Sequence, residues 1–384
     1  MGSFAGYDLP QQLVMISTAD WDAPLWTNKQ QIASRLAGDF DVVYVEPVTT
    51  MGKGKRRLSK KVWTDACGVT VVRPIGTLPF GNKLSVINDA NCALVAAGVL
   101  EVMQERRFSR PLLWCYPPTS YPLLKRIPFA LSCYDCVDEY SAFPGTWITT
   151  MRNMEKKLLR AVDVVFTTAQ SLYKDKRCHN PNTHFVPNVA DFQLFHQAAQ
   201  AKPPRRLQEM NRPVVGFVGA LNYKIDAAFV EALLKLRPKW SFVFVGPDRG
   251  LKVDRFLSYP HAHFWGRKKP EELPAIMAGF DICMIPYVID RYTQAVLPLK
   301  FFEYLATGKP VVATPMSELT RYQPLIDIAA SPGDFVAAIE RRLKKDPHGA
   351  ERVALAEKNS WNHRIGQMLS ILQTTYQEKR EGGL

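Results

Sequence analysis

Along the chain, short continuous apolar runs alternate with longer stretches in which apolar residues return every three or four positions. In the first half the runs are LVMIS (13–17), DVVYVEP (41–47), VTVVRP (69–74), PLLWCYPP (111–118), FALSCYD (129–135), DVVFTTA (163–169) and THFVPN (183–188). They are continuous rather than alternating, as strands covered on both faces must be. Between the first two, TNKQQIASRLA places Thr27 and Gln30 at capping-box spacing ahead of a helix. The second half resumes the pattern with VVGFVGA (214–220), SFVFVGP (241–247), AHFWG (262–266), DICMIPY (281–287), PVVAT (310–314) and DIAA (327–330). Repeated strand–helix units of this kind predict an α/β fold with parallel sheets. A polar, proline-containing, basic stretch separates the halves. The predicted organisation is an N-terminal Rossmann-like domain over 1–198, a linker over 199–212, a C-terminal Rossmann-like domain over 213–359 and a final amphipathic helix over 360–384.

The segment LPLKFFEYLATGKPVVATP (297–315) carries the first chemistry. Pro298 suits the opening position of a helix, because the N–H it lacks would be unpaired there. Phe301, Phe302 and Leu305 give that helix its apolar face, and Gly308 fits a left-handed stop before a buried strand. Lys300 then puts a cation where the helix dipole is already positive, beside the free N–H groups of Leu299 and Lys300 itself. An anion such as phosphate resolves that conflict, and Glu303, one turn on, can accept from a sugar diol. The plain alternative is a lysine reaching into water and a glutamate complementing the helix end.

Composition narrows the class. A chain of 384 residues with 47% hydrophobic and 22% charged residues is globular and long enough for two domains. The apolar stretch CALVAAGVLEVM is short and broken by Glu101, and the N-terminus has no signal-peptide pattern, so a cytoplasmic location is expected. Seven scattered cysteines fit reduced core thiols, and the lone pair Cys133–Cys136 is read as structural. A net charge of +13 predicts attraction to anionic membrane, phosphorylated substrates or nucleic acid, and no nucleic-acid-binding motif accompanies it.

The ordered set VVGFVGALNYKID, FVFVGP, FWGRKKPEELPAIMAGFDICMIPY and LPLKFFEYLATGKPVVAT resembles the GT-B glycosyltransferases of group 1, family 4-like, type, and the resemblance extends over nearly the whole chain. It implies two Rossmann-like domains whose parallel sheets face an interdomain cleft, with the acceptor held by the first domain and a nucleotide-sugar donor, UDP-linked by the family's habit, by the second. It implies that Glu303 grips the ribose while Lys300, Pro298 and Leu299 serve the diphosphate. Two positions depart from the pattern. Ala295 stands where many relatives carry a first glutamate, leaving Tyr292 or Thr293 to replace its contact. Gly219 is followed by Ala220 rather than arginine, so Lys224 either reaches a phosphate or is a solvated loop cation.

Transfer to a hydroxyl with inversion needs a base. Asp135, Asp138 and Glu139 crowd the end of FALSCYD, and the resemblance selects Asp138 as the base, with Asp135 structural. The first loop, STADWDAPLW, is expected to line the acceptor site through Asp20, Trp21 and Trp26, the tryptophans stacking on sugar or filling core. Its Asp20 and Asp22 form a possible metal-binding pair, but Lys300 already fills the cation's role, so metal-independent transfer without a cofactor is expected. His261 and His263 alternate along a strand and cannot share one metal. Finally, Lys53, Lys55, Arg56, Arg57, Lys60 and Lys61 make 51–63 a cationic loop suited to an anionic membrane surface bearing a lipid-linked acceptor. The expected function is sugar transfer in cell-surface polysaccharide biosynthesis. A nucleotide-sugar epimerase of the same fold and a non-catalytic nucleotide- or glycan-binding protein are the alternatives.

Overall fold

The computed structural model describes residues 4–23, 26–48, 60–143 and 146–382. Each apolar run named above is a strand in it. The chain divides into two units, Met1–Pro187 with Arg364–Leu384, and Asn188–His363.

The first unit is built on an eight-stranded sheet. Its strands are β1 (Gln12–Ile16), β2 (Asp41–Val45), β3 (Lys61–Thr64), β4 (Thr70–Arg73), β5 (Leu112–Cys115), β6 (Leu131–Cys136), β7 (Val164–Thr167) and β8 (Thr183–Phe185), in the order β3-β4-β2-β1-β5-β6-β7-β8. All pairs are parallel except β3 with β4. β3 begins within the stretch read as a basic loop, and it is an edge strand with Lys61 exposed. Thr27 precedes the first helix, Asn28–Leu36, as expected, and its N–H donates to Gln30 Oε1 at 3.0 Å. The helix Trp361–Glu381 completes this unit: Ile365, Met368, Leu369 and Leu372 are buried, Tyr7 Oη donates to the Gly366 carbonyl at 3.1 Å, and Lys379 Nζ meets Asp163 Oδ1 at 2.8 Å.

The second unit holds an all-parallel sheet of β9 (Val214–Val218), β10 (Ser241–Val245), β11 (Ala262–Phe264), β12 (Ile282–Ile285), β13 (Val311–Ala313) and β14 (Asp327–Ile328), in the order β11-β10-β9-β12-β13-β14. The stretch 199–212, read as a linker, is packed onto this unit. Leu207 is fully buried in its core with Phe195 and Ala198, a Cβ on Gly279 would meet Leu207 Cδ1 at 2.8 Å, and Arg212 Nη1 donates to the Gly279 carbonyl at 2.8 Å. Prolines and arginines give the segment a linker's composition, but its few apolar residues are the ones that anchor it.

Candidate active site

In a parallel sheet, ligands are received beyond the carboxyl ends of the strands. At that edge of the second unit, β9 ends in Gly219 and β10 in Gly246, with φ of +138° and +148°. A Cβ on Gly246 would lie 1.9 Å from the Gly219 carbonyl oxygen, and one on Gly219 would lie 2.7 Å from Lys300 Nζ. Backbone conformation requires glycine at both positions, and at Gly246 the neighbouring backbone leaves no room for a side chain. Gly246 was not singled out from the sequence, because its need for glycine comes from another strand.

Lys300 belongs to the helix Leu299–Ala306. Pro298 stands one position earlier than expected, as the N-cap: its ψ of 135° is extended, so Leu299 is the first helical residue. Phe301 N–H donates to the Pro298 carbonyl at 3.0 Å, whereas the amides of Leu299 and Lys300 have no hydrogen-bond acceptor among the described residues. Tyr304 fixes the helix against β9: its hydroxyl accepts from Val218 N at 2.8 Å and donates to Val218 O at 3.3 Å. Gly308, with φ of +73°, ends the turn as expected.

The Lys300 side chain does not reach into water; the residue is 8% exposed. Its ammonium donates to Tyr287 Oη at 2.5 Å and sits 3.9 Å from the centroid of the Phe217 ring. No carboxylate lies within ion-pair distance of it among the described residues. Burial pushes its pKa down to about 7, with Lys224 adding repulsion and Glu303 opposing. The Glu303 carboxyl is pushed up to about 7 by burial, against the attraction of Lys300 and with Asp191 adding to the rise. A cation this desolvated retains its charge best when an anion arrives.

Around this core, Lys224 is held by Tyr292, donating to its hydroxyl at 2.8 Å with the ammonium 4.5 Å from the ring centroid. It is close enough to repel Lys300, so the two cations stand near one another. Thr293, one of two residues considered as replacing the missing glutamate, is fully buried, and its hydroxyl donates to Val288 O at 2.6 Å; it is spent within its own loop. Tyr292 is the remaining one.

In the first unit, Asp138 lies just beyond β6 and is partly exposed. Its neighbours have other work. Asp135 is fully buried within β6, with Arg364 Nη2 at 3.8 Å, and burial raises its pKa against that attraction. Glu139 Oε1 accepts from Ser141 N at 3.3 Å, and its Oε2 faces Lys176 Nζ at 3.6 Å. Within the first loop Asp20 is exposed, but Trp21 is a correction. It is 3% exposed, packed 5.0 Å from Tyr44 and 5.2 Å from Trp26 between ring centroids, and its backbone amide donates to Glu46 Oε1 at 2.8 Å. Its indole fills core, and Trp26, 40% exposed, is the ring that faces solvent. Asp22 pairs with Arg73 at 3.3 Å.

A cavity of about 350 Å³ opens at the carboxyl ends of β1, β2 and β5, lined by Ile16, Thr18, Val45, Asn88, Ser120 and Leu123 among others. Ser17 and Thr18 belong to the first loop expected there, whereas Asn88, Asn91 and Ser120 were not foreseen, since they come from a separate loop and from the inner face of the helix Ser85–Glu105. Of the basic loop, Lys53, Lys55, Arg56 and Arg57 lie outside the described residues; Lys60 pairs with Glu101 at 2.6 Å, and Lys61 begins β3. Cys133 and Cys136 are both buried, and burial holds their thiols well above the ordinary range, as core cysteines.

Residues 212–345 match the family model described as glycosyl transferases group 1. Solved structures share the fold over nearly the whole chain. Sucrose-phosphate synthase from Thermosynechococcus elongatus superposes with a TM-score of 0.72 at 17% identity, covering 96% of this chain and 99% of that one. The Anabaena protein HepE in complex with UDP gives 0.63 at 14% identity, covering 94% and 99%. The fold is that of the GT-B glycosyltransferases, and the group 1 match falls within the second unit. In sequence it is 29% identical over 284 residues, 68% of this chain and 71% of the relative, to TuaH of Bacillus subtilis (strain 168), whose name assigns it provisionally to teichuronic acid biosynthesis as a glycosyltransferase.

Proposed function

We propose that the protein transfers a sugar from a nucleoside diphosphate, UDP in the first instance, to a hydroxyl of a glycan or lipid-linked acceptor in the assembly of a cell-surface polysaccharide. The observation that carries this reading is the environment of Lys300: a buried ammonium with no carboxylate at ion-pair distance among the described residues, set against Gly219 at the end of one strand and in the first turn of a helix with open amides. The departing diphosphate is the group such a site stabilises most, because its negative charge grows as the sugar bond breaks. Glu303 accepts from the ribose diol, and Lys224 with Tyr292 closes the phosphate side. Asp138 takes the proton of the acceptor hydroxyl as it attacks the anomeric carbon. The acceptor lies at the cavity beyond β1, β2 and β5, with Asp20 and Trp26 at the neighbouring loop. Sugar-polymer synthesis is supported by the relationship to TuaH, and UDP by the bound nucleotide of HepE. The donor site takes its positive charge from Lys300 and Lys224, so transfer is expected to proceed in EDTA.

Calorimetric titration of UDP, GDP and ADP in the presence of EDTA tests the reading. Selective binding of UDP is expected, weakened by about 1–3 kcal/mol in Glu303→Ala. Asp138→Asn should retain that binding and lose transfer to acceptor. Absence of binding by all three nucleotides overturns the donor site, and near-normal turnover by Asp138→Asn removes it as the base.

A further inference from the structure

The helix Ser85–Glu105 is apolar on both sides. Its inner face, with Cys92, Val95, Val99 and Val102, packs on the sheet of the first unit. Its outer face carries Val86, Ala90, Leu94, Ala97 and Leu100, all exposed, Val86 at 80%. These positions recur every three or four residues and form a stripe of about 21 Å on a helix rising 1.5 Å per residue. The helix is long and apolar enough to cross a membrane, but its inner face is committed to the core, so it can only lie along one. Asp89 and Glu101, the acids bordering the stripe, are paired with Arg126 and Lys60, and a surface helix with so long an uncovered apolar stripe is missing a partner.

The N-terminal end of the stripe broadens. Phe80 has a φ of +67°, a left-handed conformation that is unfavourable for a bulky residue, and its ring is 53% exposed. Leu78 and Leu84 are exposed beside it in sequence, as are Trp147 and Ile148 at the start of the helix Ile148–Leu159. Lys83 joins the two segments, its ammonium 5.6 Å from the Phe80 ring centroid and 5.5 Å from that of Trp147. Past this rim the exposed charges are basic: Arg152, Lys156 and Lys157 on the second helix, and Lys125 across a groove of about 340 Å³ that Val86, Tyr121 and Met154 also line. Asp89, the acid in that groove, is paired with Arg126 at 2.7 Å.

We propose that this face, the outer stripe of Ser85–Glu105 with Phe80, Leu84, Trp147 and Ile148, is embedded in the surface of an anionic lipid bilayer. Apolar side chains and interfacial aromatic rings enter the acyl boundary while the surrounding lysines and arginine meet phosphate headgroups. The proposal rests on the reading of a lipid-linked acceptor and gives that acceptor its place of encounter. It moves the main membrane contact from the basic loop 51–63 to a surface that combines apolar area with charge.

The test is flotation with vesicles of equal parts phosphatidylcholine and phosphatidylglycerol, using the whole chain and the variant Phe80→Ser/Leu94→Gln/Leu100→Gln/Trp147→Ser. The wild type should float, and the variant should lose at least about tenfold in lipid affinity. Brominated phosphatidylcholine should quench part of the wild-type tryptophan emission, and Trp147→Phe should remove that part. UDP titration of the same samples separates the outcomes: a variant that keeps nucleotide binding is folded, and absent UDP binding strikes the transferase reading without touching this one. Equal flotation of wild type and variant, or no flotation of the wild type, overturns the proposal. So does a wild-type dimer in lipid-free sedimentation that the variant dissolves, which would make the face a contact between copies.

Discussion

Lys176 and Lys300 are both buried, one in each unit, and their surroundings are opposite. Lys176 in the first unit is ringed by acids, with Glu155 at 2.8 Å, Asp175 at 2.9 Å and Glu139 at 3.6 Å. Burial alone would push its ammonium down, but Cys136, Glu155 and Glu139 outweigh it and hold the pKa well above the ordinary value. Lys300 in the second unit has a tyrosine hydroxyl and aromatic rings instead, and burial wins. The difference separates a charge that completes the architecture from one kept for a ligand. A protein keeps an incompletely compensated buried cation only where something else compensates it part of the time.

Three experiments sharpen that contrast. The largest effect is expected at Lys176. Lys176→Met should destabilise the protein by about 3–5 kcal/mol in urea unfolding, because it strands Glu155 and its neighbours without a cation. Lys300→Met should leave unfolding unchanged or slightly more resistant, while UDP affinity falls by roughly 2 kcal/mol, the scale of a charge-assisted hydrogen bond. If both variants unfold alike and bind UDP alike, the contrast fails.

The third effect is pH. In the unliganded protein Lys300 releases its proton near pH 7, whereas in the unfolded chain it holds it to about 10.5, so this group makes stability rise with pH between those values. Glu303 does the reverse: it keeps its proton to about 7 when folded and releases it near 4.5 when unfolded, so its contribution to stability falls across that window. A bound diphosphate selects the charged lysine. UDP affinity should therefore fall above pH 7 by up to about 1.4 kcal/mol per pH unit, with proton uptake on binding in calorimetry. Lys300→Met should flatten that slope.

How much of this was legible in the sequence follows from where each signal resides. The parallel strands could be read because burial on both faces makes their runs continuously apolar. β3 was hidden because an edge strand among lysines has no apolar face to display. The segment 199–212 misled by composition, since Leu207 alone does much of its anchoring. Lys300 and Glu303 could be singled out because a cation in the first turn of a helix is a local anomaly. Their setting could not, because Phe217, Tyr287 and Gly246 arrive from the ends of other strands. Trp21 shows the converse, a residue of suggestive type whose position in the packing decides against the role.

The helix Trp361–Glu381 has a consequence for the order in which the protein is made. Its residues from Arg364 onward belong to the first unit, where Arg364 faces the buried Asp135 and Ile365, Met368, Leu369 and Leu372 are buried. A ribosome delivers the eight strands of that unit first and then the entire second unit before this helix emerges. The second unit is contiguous and can fold as soon as it is released. The first must wait, with a carboxylate and an apolar surface uncovered, until this helix has emerged. Strands made before the second unit are thus finished after it, and their interval of exposure is set by its length.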